Sequence, residues 1–176
     1  ARSLIRVFAM EIFKGYQDLH KNFPKVFLTI GNFDGLHLGH RQIITATIQR
    51  AKKEGGTSIV YTFRPHPHFV LSSESRIQLI NTYEEKLKLL EDLGVDAVIE
   101  QPFSREFSTM PPEKFLGDVI IKRLSPAGIF VGHDFGFGKD RQGSLELLKT
   151  TAAAEGIELD IFKPLKIADE ICSSSR

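Results

Sequence analysis

A chain of 176 residues that is 41% hydrophobic and 26% charged carries enough apolar material for one ordinary globular domain with a sizeable core. Its 23 Lys and Arg against 22 Asp and Glu leave a net charge of +1, which gives no general electrostatic footing on nucleic acid or a membrane, so any phosphate binding has to be local. The single cysteine, Cys172, excludes an intramolecular disulfide and a zinc knuckle, and a reducing, cytoplasmic setting is the simplest expectation.

The N-terminal stretch ARSLIRVFAMEIF is interrupted by Arg2, Arg6 and Glu11; it is too charged for a signal peptide or a spanning helix, and a strand at roughly 5 to 12 fits it instead. KVFLTI (25 to 30) then leads into a helix over 39 to 54, with apolar positions at Ile43, Ile44, Ala46, Ile48 and Ala51 and a stop in EGG at 54 to 56. TSIVYTF (57 to 63) is followed by a helix over 82 to 93, carrying Leu87, Leu89, Leu90 and Leu93 behind Thr82, with Gly94 as its stop. VDAVIE (95 to 100) precedes a helix over 111 to 123, and AGIFVG (127 to 132) one over 144 to 155. GIELDIF (156 to 162) and a short strand near 166 to 172 follow. Strand followed by helix, four times over, predicts an α/β fold: a Rossmann-like doubly wound parallel sheet of about five strands with helices on both faces.

In such a sheet ligands sit beyond the carboxyl ends of the strands, where strand order reverses. Segments 31 to 40 and 132 to 139 are therefore expected to line one crevice, with TFRPHPHF (62 to 69) at its border. In the first segment Gly31 and Gly35 allow close backbone approach and positive φ, Asp34 folds back to hold the loop, and a helix beginning near Gly39 points unpaired amides at the crevice. His37 and His40, three residues apart, share one face of that helix end. Their ordinary pKa near neutrality would let a bound polyphosphate draw them into the protonated form. Zinc would need a third ligand and normally an i, i+4 pair with a carboxylate, a pattern this segment lacks.

GNFDGLHLGH resembles the HxGH signature of the nucleotidylyltransferase superfamily, in the form found in the FMN adenylyltransferase module of prokaryotic bifunctional FAD synthetase. TFRPHPHFVL, RIQLINTYEEKLKLLEDLGVD, VGHDFGFGKDRQG and the final SSSR are similar to four further motifs of that family, in the family's order. The resemblance covers nearly the whole chain and implies transfer of AMP from ATP to FMN, giving FAD and pyrophosphate, with Mg²⁺ as cofactor. FMN's phosphate is already an anion, so neither a general base nor a covalent enzyme nucleophile is needed. Alignment of the substrates and stabilisation of phosphate charge would carry the reaction.

By the same resemblance His37 and His40 are the catalytic pair. Gly31, Asn32, Phe33, Asp34, Gly35, Gly39, Gly132, Asp134, Ser173, Ser174 and Ser175 form the ATP site, and Pro65, Pro67 and Phe137 the flavin wall. Asp134 is also the candidate metal ligand, against a plain turn-forming role. His66 and His68 are further candidates, and Arg64 stands between a phosphate contact and a surface ion pair. The resemblance implies residues 1–176 as one nucleotidylyltransferase domain, with small-molecule partners only, normally followed in the family by a riboflavin kinase domain that this sequence does not contain. The family's serine motif runs on to a basic residue beyond the last position here, so the sequence is expected to be an excised module or part of a longer chain. The alternatives are an HxGH nucleotidylyltransferase with another phosphorylated acceptor, and a flavin- or nucleotide-binding module with impaired chemistry.

Overall fold

A computed structural model describes residues 9–72, 79–136, 144–163, 165–167 and 170–172. Strands β1 (Glu11–Phe13), β2 (Val26–Ile30), β3 (Thr57–Arg64), β4 (Ala97–Pro102), β5 (Gly128–Gly132) and β6 (Glu158–Phe162) form one sheet in the order β1-β4-β3-β2-β5-β6. Every pairing in it is parallel. The five expected strands are its body; of the N-terminal strand expected at roughly 5 to 12, residues 5 to 8 lie outside the described residues, and the strand observed, Glu11–Phe13, forms the edge beside β4. The single strand expected near 166 to 172 is instead an antiparallel pair, β7 (Leu165–Ile167) with β8 (Glu170–Cys172).

The helices are α1 (Leu38–Glu54), α2 (Pro67–Leu71), α3 (Tyr83–Leu93), α4 (Arg105–Ser108), α5 (Pro112–Lys114) and α6 (Ser144–Glu155); α5 runs on in π-helical geometry over Phe115–Leu124. Alternation along the strands decides which helix covers which face. Leu28, Ile30, Ile59, Tyr61, Ile99, Ile129 and Val131 pack with Phe115, Leu116, Val119, Ile120 and Leu148 of the π-helical segment and α6. Val60 and Val98 pack with Ile44, Ile48 and Leu90, while Phe27 and Phe130 meet Ile43 and Ala51, all on the α1 and α3 side. Both faces of the sheet are therefore buried along its inner strands β2 to β5, which is why these read as nearly continuous apolar runs. Each wholly buried Ile or Leu here contributes about 2 kcal/mol.

Caps set the helix ends that matter for the site. Gly55 (φ 67°) and Gly94 (φ 101°) take the left-handed conformation that ends α1 and α3, a position glycine occupies without a Cβ penalty. At the start of α3 the Thr82 hydroxyl accepts the Glu85 amide at 3.0 Å, and the Glu85 carboxylate accepts the Thr82 amide at 3.2 Å. This reciprocal box fixes where Tyr83 and Lys86 emerge. Thr82→Ala is expected to cost about 1 kcal/mol of unfolding free energy, read as a lowered urea midpoint at unchanged slope; an unmoved midpoint would show that the box does not hold the helix.

Candidate active site

Successive strands β2, β3 and β4 step one way across the sheet, and β5 returns to the other side of β2. The reversal falls between β2 and β5, so the loops leaving those two strands flank the switch point. These are the loops expected to form the site. α1, which follows β2, packs on β2, β3 and β5 alike and so presents its first turn at this edge.

The loop from 31 to 37 is tight and strained. Phe33 (φ 54°) and Leu36 (φ 40°) are non-glycine residues in the left-handed region, and Gly35 lies between them at φ 77°. Gly31 lies close beneath Phe33: a Cβ there would stand 3.0 Å from the ring, which would have to shift by a few tenths of an ångström. Several bonds from outside hold the loop. The Asp34 carboxylate accepts the amides of Ile80 (3.1 Å) and Asn81 (3.4 Å), just before α3. The Asn32 carbonyl accepts from the Thr62 hydroxyl and from the Lys86 ammonium, each at 3.2 Å. The Arg41 side chain donates to the Leu36 carbonyl at 3.0 Å.

The helix then begins one residue earlier than expected, at Leu38, with His37 as its cap. His37 Nδ1 accepts the amides of Gly39 (3.1 Å) and His40 (3.4 Å). Two of the amides expected to face an anion are thus already satisfied by the imidazole. An Nδ1 that accepts leaves the proton on Nε2, which is buried and has no hydrogen-bond partner among the described residues. The His37 and His40 rings stack at 3.7 Å and 19°, and Phe33 meets His40 edge-on at 5.3 Å. His40 is 7% exposed, because its place on α1 falls three and four residues before the buried Ile43 and Ile44.

This burial changes the expected charge. Desolvation, followed by the neighbouring His37, pushes His40 down to about 4, against a smaller upward pull from Asp134 and Asp34. Burial likewise lowers His37, partly offset by Asp134. The pair therefore stands neutral at pH 7 in the free protein, where the sequence alone suggested two groups poised to protonate.

Gly132 ends β5, and Asp134 follows two residues later. A Cβ on Gly132 would lie 2.9 Å from Asp134 Oδ1, so the Asp134 carboxylate folds back over this glycine, and 3.5 Å from Ile43 of α1, an ordinary contact with the histidine helix. Asp134 pulls both histidines upward, so its carboxylate stands within electrostatic reach of the pair. Beyond β3, Pro67 occupies the first turn of α2, His66 caps it by accepting the His68 amide through Nδ1 (3.1 Å), and the His66 amide donates to Tyr83 Oη (2.9 Å). Pro65 precedes this cap. Arg64 forms ion pairs with Glu84 (3.1 Å) and Glu100 (3.5 Å) and lies over the Tyr83 ring at 4.5 Å. Phe137, Ser173, Ser174 and Ser175 lie outside the described residues.

Sequence reasoning missed Lys86 and Glu100, each only 5% exposed. Lys86 lines a small cleft together with Asn32, Asp34, His66, Asn81 and Tyr83. One signal was available: Lys86 sits four residues before the fully buried Leu90, on the inward stripe of α3. Among the described residues no group of three or more His, Cys, Asp or Glu side chains is placed to hold a metal ion. No helix among them is long and apolar enough to cross a membrane.

A family model described as FAD synthetase matches residues 19–176. A bifunctional riboflavin kinase/FMN adenylyltransferase of Buchnera aphidicola subsp. Schizaphis graminum is 31% identical over 140 residues, 80% of this chain and 45% of that protein. Its namesakes in Escherichia coli K12 (33% over 132 residues) and Bacillus subtilis 168 (34% over 125) cover 75% and 70% of this chain, and 42% and 39% of their own lengths. The chain thus spans less than half the length of these relatives. Among solved structures, one called a macrolide-efflux protein, from Streptococcus pneumoniae, superposes with a TM-score of 0.80 at 25% identity, over 96% of this chain and 55% of its own. A pantothenate synthetase from Thermus thermophilus shares the fold, with a TM-score of 0.57 at 15% identity, over 94% of this chain and 66% of its own.

Proposed function

This chain belongs to the FAD synthetase family, and on that premise we propose that it transfers the adenylyl group of ATP directly to FMN, giving FAD and pyrophosphate. The observation that carries this reading is the stacked histidine pair at the switch point, where His37 Nε2 is buried with no hydrogen-bond partner among the described residues and the Asp134 carboxylate lies within electrostatic reach. A buried donor without a partner is costly, and a phosphate oxygen would satisfy it.

In the reaction an oxygen of the FMN phosphate forms a bond to the α-phosphorus of ATP. The bond from that phosphorus to the bridging oxygen breaks, and pyrophosphate leaves with the electron pair. His37 donates through Nε2 to a phosphate oxygen as charge moves toward the leaving group, and His40, stacked beneath it, fixes its ring. Asn32, Asp34 and Gly35 shape the loop that presents the pair, Gly31 and Phe33 pack beneath it, and Gly39 lends its amide to the His37 cap. Gly132 and Asp134 form the opposite wall. Pro65 and Pro67 border the flavin, and in this reading Phe137 completes its wall while Ser173, Ser174 and Ser175 meet the ATP phosphates.

The donor set fits Mg²⁺ carried in with the nucleotide, because that ion is commonly held by one or two carboxylates plus substrate phosphates. Asp134 would supply the carboxylate, and the bound ion would neutralise phosphate charge. Residues 1–176 act here as the nucleotidylyltransferase unit; the relatives' riboflavin kinase activity is not carried to them.

The test supplies Mg-ATP with FMN, phosphopantetheine or nicotinate mononucleotide and measures pyrophosphate. Release with FMN alone is expected. Release with another acceptor would reassign the substrate, and flavin binding without release would make the chain a binding module.

A further inference from the structure

We propose that Lys86 is a positioning residue: its buried ammonium group, acting through the Asn32 carbonyl, holds the strained loop that sets the two histidines. The role deepens the adenylyltransferase reading and rests on it for its effect on turnover.

An ammonium group is an expensive choice for an inward position of α3, where a methionine would fill similar space without desolvating a charge. Lys86 is 5% exposed and its Nζ donates to the Thr62 hydroxyl at 3.0 Å and to the Asn32 carbonyl at 3.2 Å. Among the described residues no carboxylate lies within 4.0 Å of it. Its bonds go to the loop and to the strand beside the loop. The charged groups that act on it are Glu100, Asp34 and Arg64; the Tyr83 ring lies at 5.7 Å, and burial brings the amine down to about 8.

Asn32 immediately precedes Phe33, whose left-handed backbone and edge contact with His40 tie the loop to the pair. A bulky residue keeps such a conformation only where its surroundings impose it. The Asn32 carbonyl is fixed by two donors, Lys86 and Thr62, so loss of either frees the start of the strained turn. The same turn of α3 holds the proline segment, through Tyr83 Oη and the His66 amide. The first turn of α3 therefore spans the loop assigned to ATP and the segment assigned to flavin.

The test compares the full chain with Lys86→Met, Thr62→Val and, as a control, Lys88→Met, whose exposed lysine on the same helix pairs with Asp92. FAD formation and the NMR titration of the His37 ring are both followed. Lys86→Met is expected to lose between tenfold and a hundredfold in kcat, the scale of a displacement of about 1 Å at reacting groups, with FMN affinity changed far less. Its His37 should titrate closer to a free histidine, and its melting temperature should not fall. Thr62→Val should shift His37 in the same direction, and Lys88→Met should match the parent in both readouts. A His37 titration unchanged in Lys86→Met would overturn the proposal; should that variant not fold, Thr62→Val decides in the same way. If the parent chain forms no FAD, the adenylyltransferase reading fails, and the His37 titration still decides whether Lys86 holds the loop.

Discussion

Replacing His37 by asparagine is expected to lower turnover by between a hundredfold and a thousandfold, about 3 to 4 kcal/mol of transition-state stabilisation. Asparagine is the informative choice because it is itself a good helix cap. It keeps an acceptor for the Gly39 and His40 amides that Nδ1 now receives at 3.1 and 3.4 Å, and it removes the Nε2 donor. His37→Ala loses the cap as well and should add about 1 kcal/mol of destabilisation. The donor is assigned to charge that develops during transfer, so kcat should fall while FMN affinity holds. Near-normal kcat in His37→Asn with weakened FMN binding would place the ring in the flavin site instead.

The second large effect is on acid stability. His40 has a folded-state pKa of about 4 against about 6.5 in an unfolded chain. Between those values the unfolded state binds more protons, so stability rises with pH across that window. The contribution is full above about pH 6.5 and is lost as pH falls toward 4, a difference of about 3 kcal/mol. Urea unfolding of the parent chain and of His40→Gln at pH 7 and pH 4 isolates it. The parent is expected to lose about 3 kcal/mol more than the variant between the two. Equal losses would mean that His40 is solvated in the folded protein and that its stack on His37 does not persist in solution.

The parts of the fold legible in the sequence were those with a local chemical cause. Thr82 with Glu85 and Gly94 bounded α3, the glycines at 55 and 56 ended α1, and the apolar runs marked strands buried on both sides. The paired HLGH histidines were legible for the same reason: one helix turn sets them face to face, and the two rings stack. What the sequence did not carry depends on distant partners. Nothing local reveals that Phe33 and Leu36 sit at positive φ, since Asn32 is held from β3 and α3, and Asp34 from the segment before α3. The depressed pKa of His40 follows from packing beneath Phe33 and His37. Lys86 and Glu100 read as ordinary helix and strand charges, and only the packing of α3 on the strands shows both to be buried. The short α2 and α4 are too brief to show a period, and the last stretch carries no residue signal that would split one strand into the pair β7 and β8.

Adenylyl transfer without a covalent enzyme intermediate is followed most directly with ATP labelled at the α-phosphate, mixed in a single turnover with the chain, Mg²⁺ and FMN. All transferred label is expected in FAD, with unlabelled pyrophosphate formed in equal amount and none of the label retained on denatured protein. Label bound to the protein, or released only as AMP with no FAD formed, would contradict direct transfer at the His37 and His40 site.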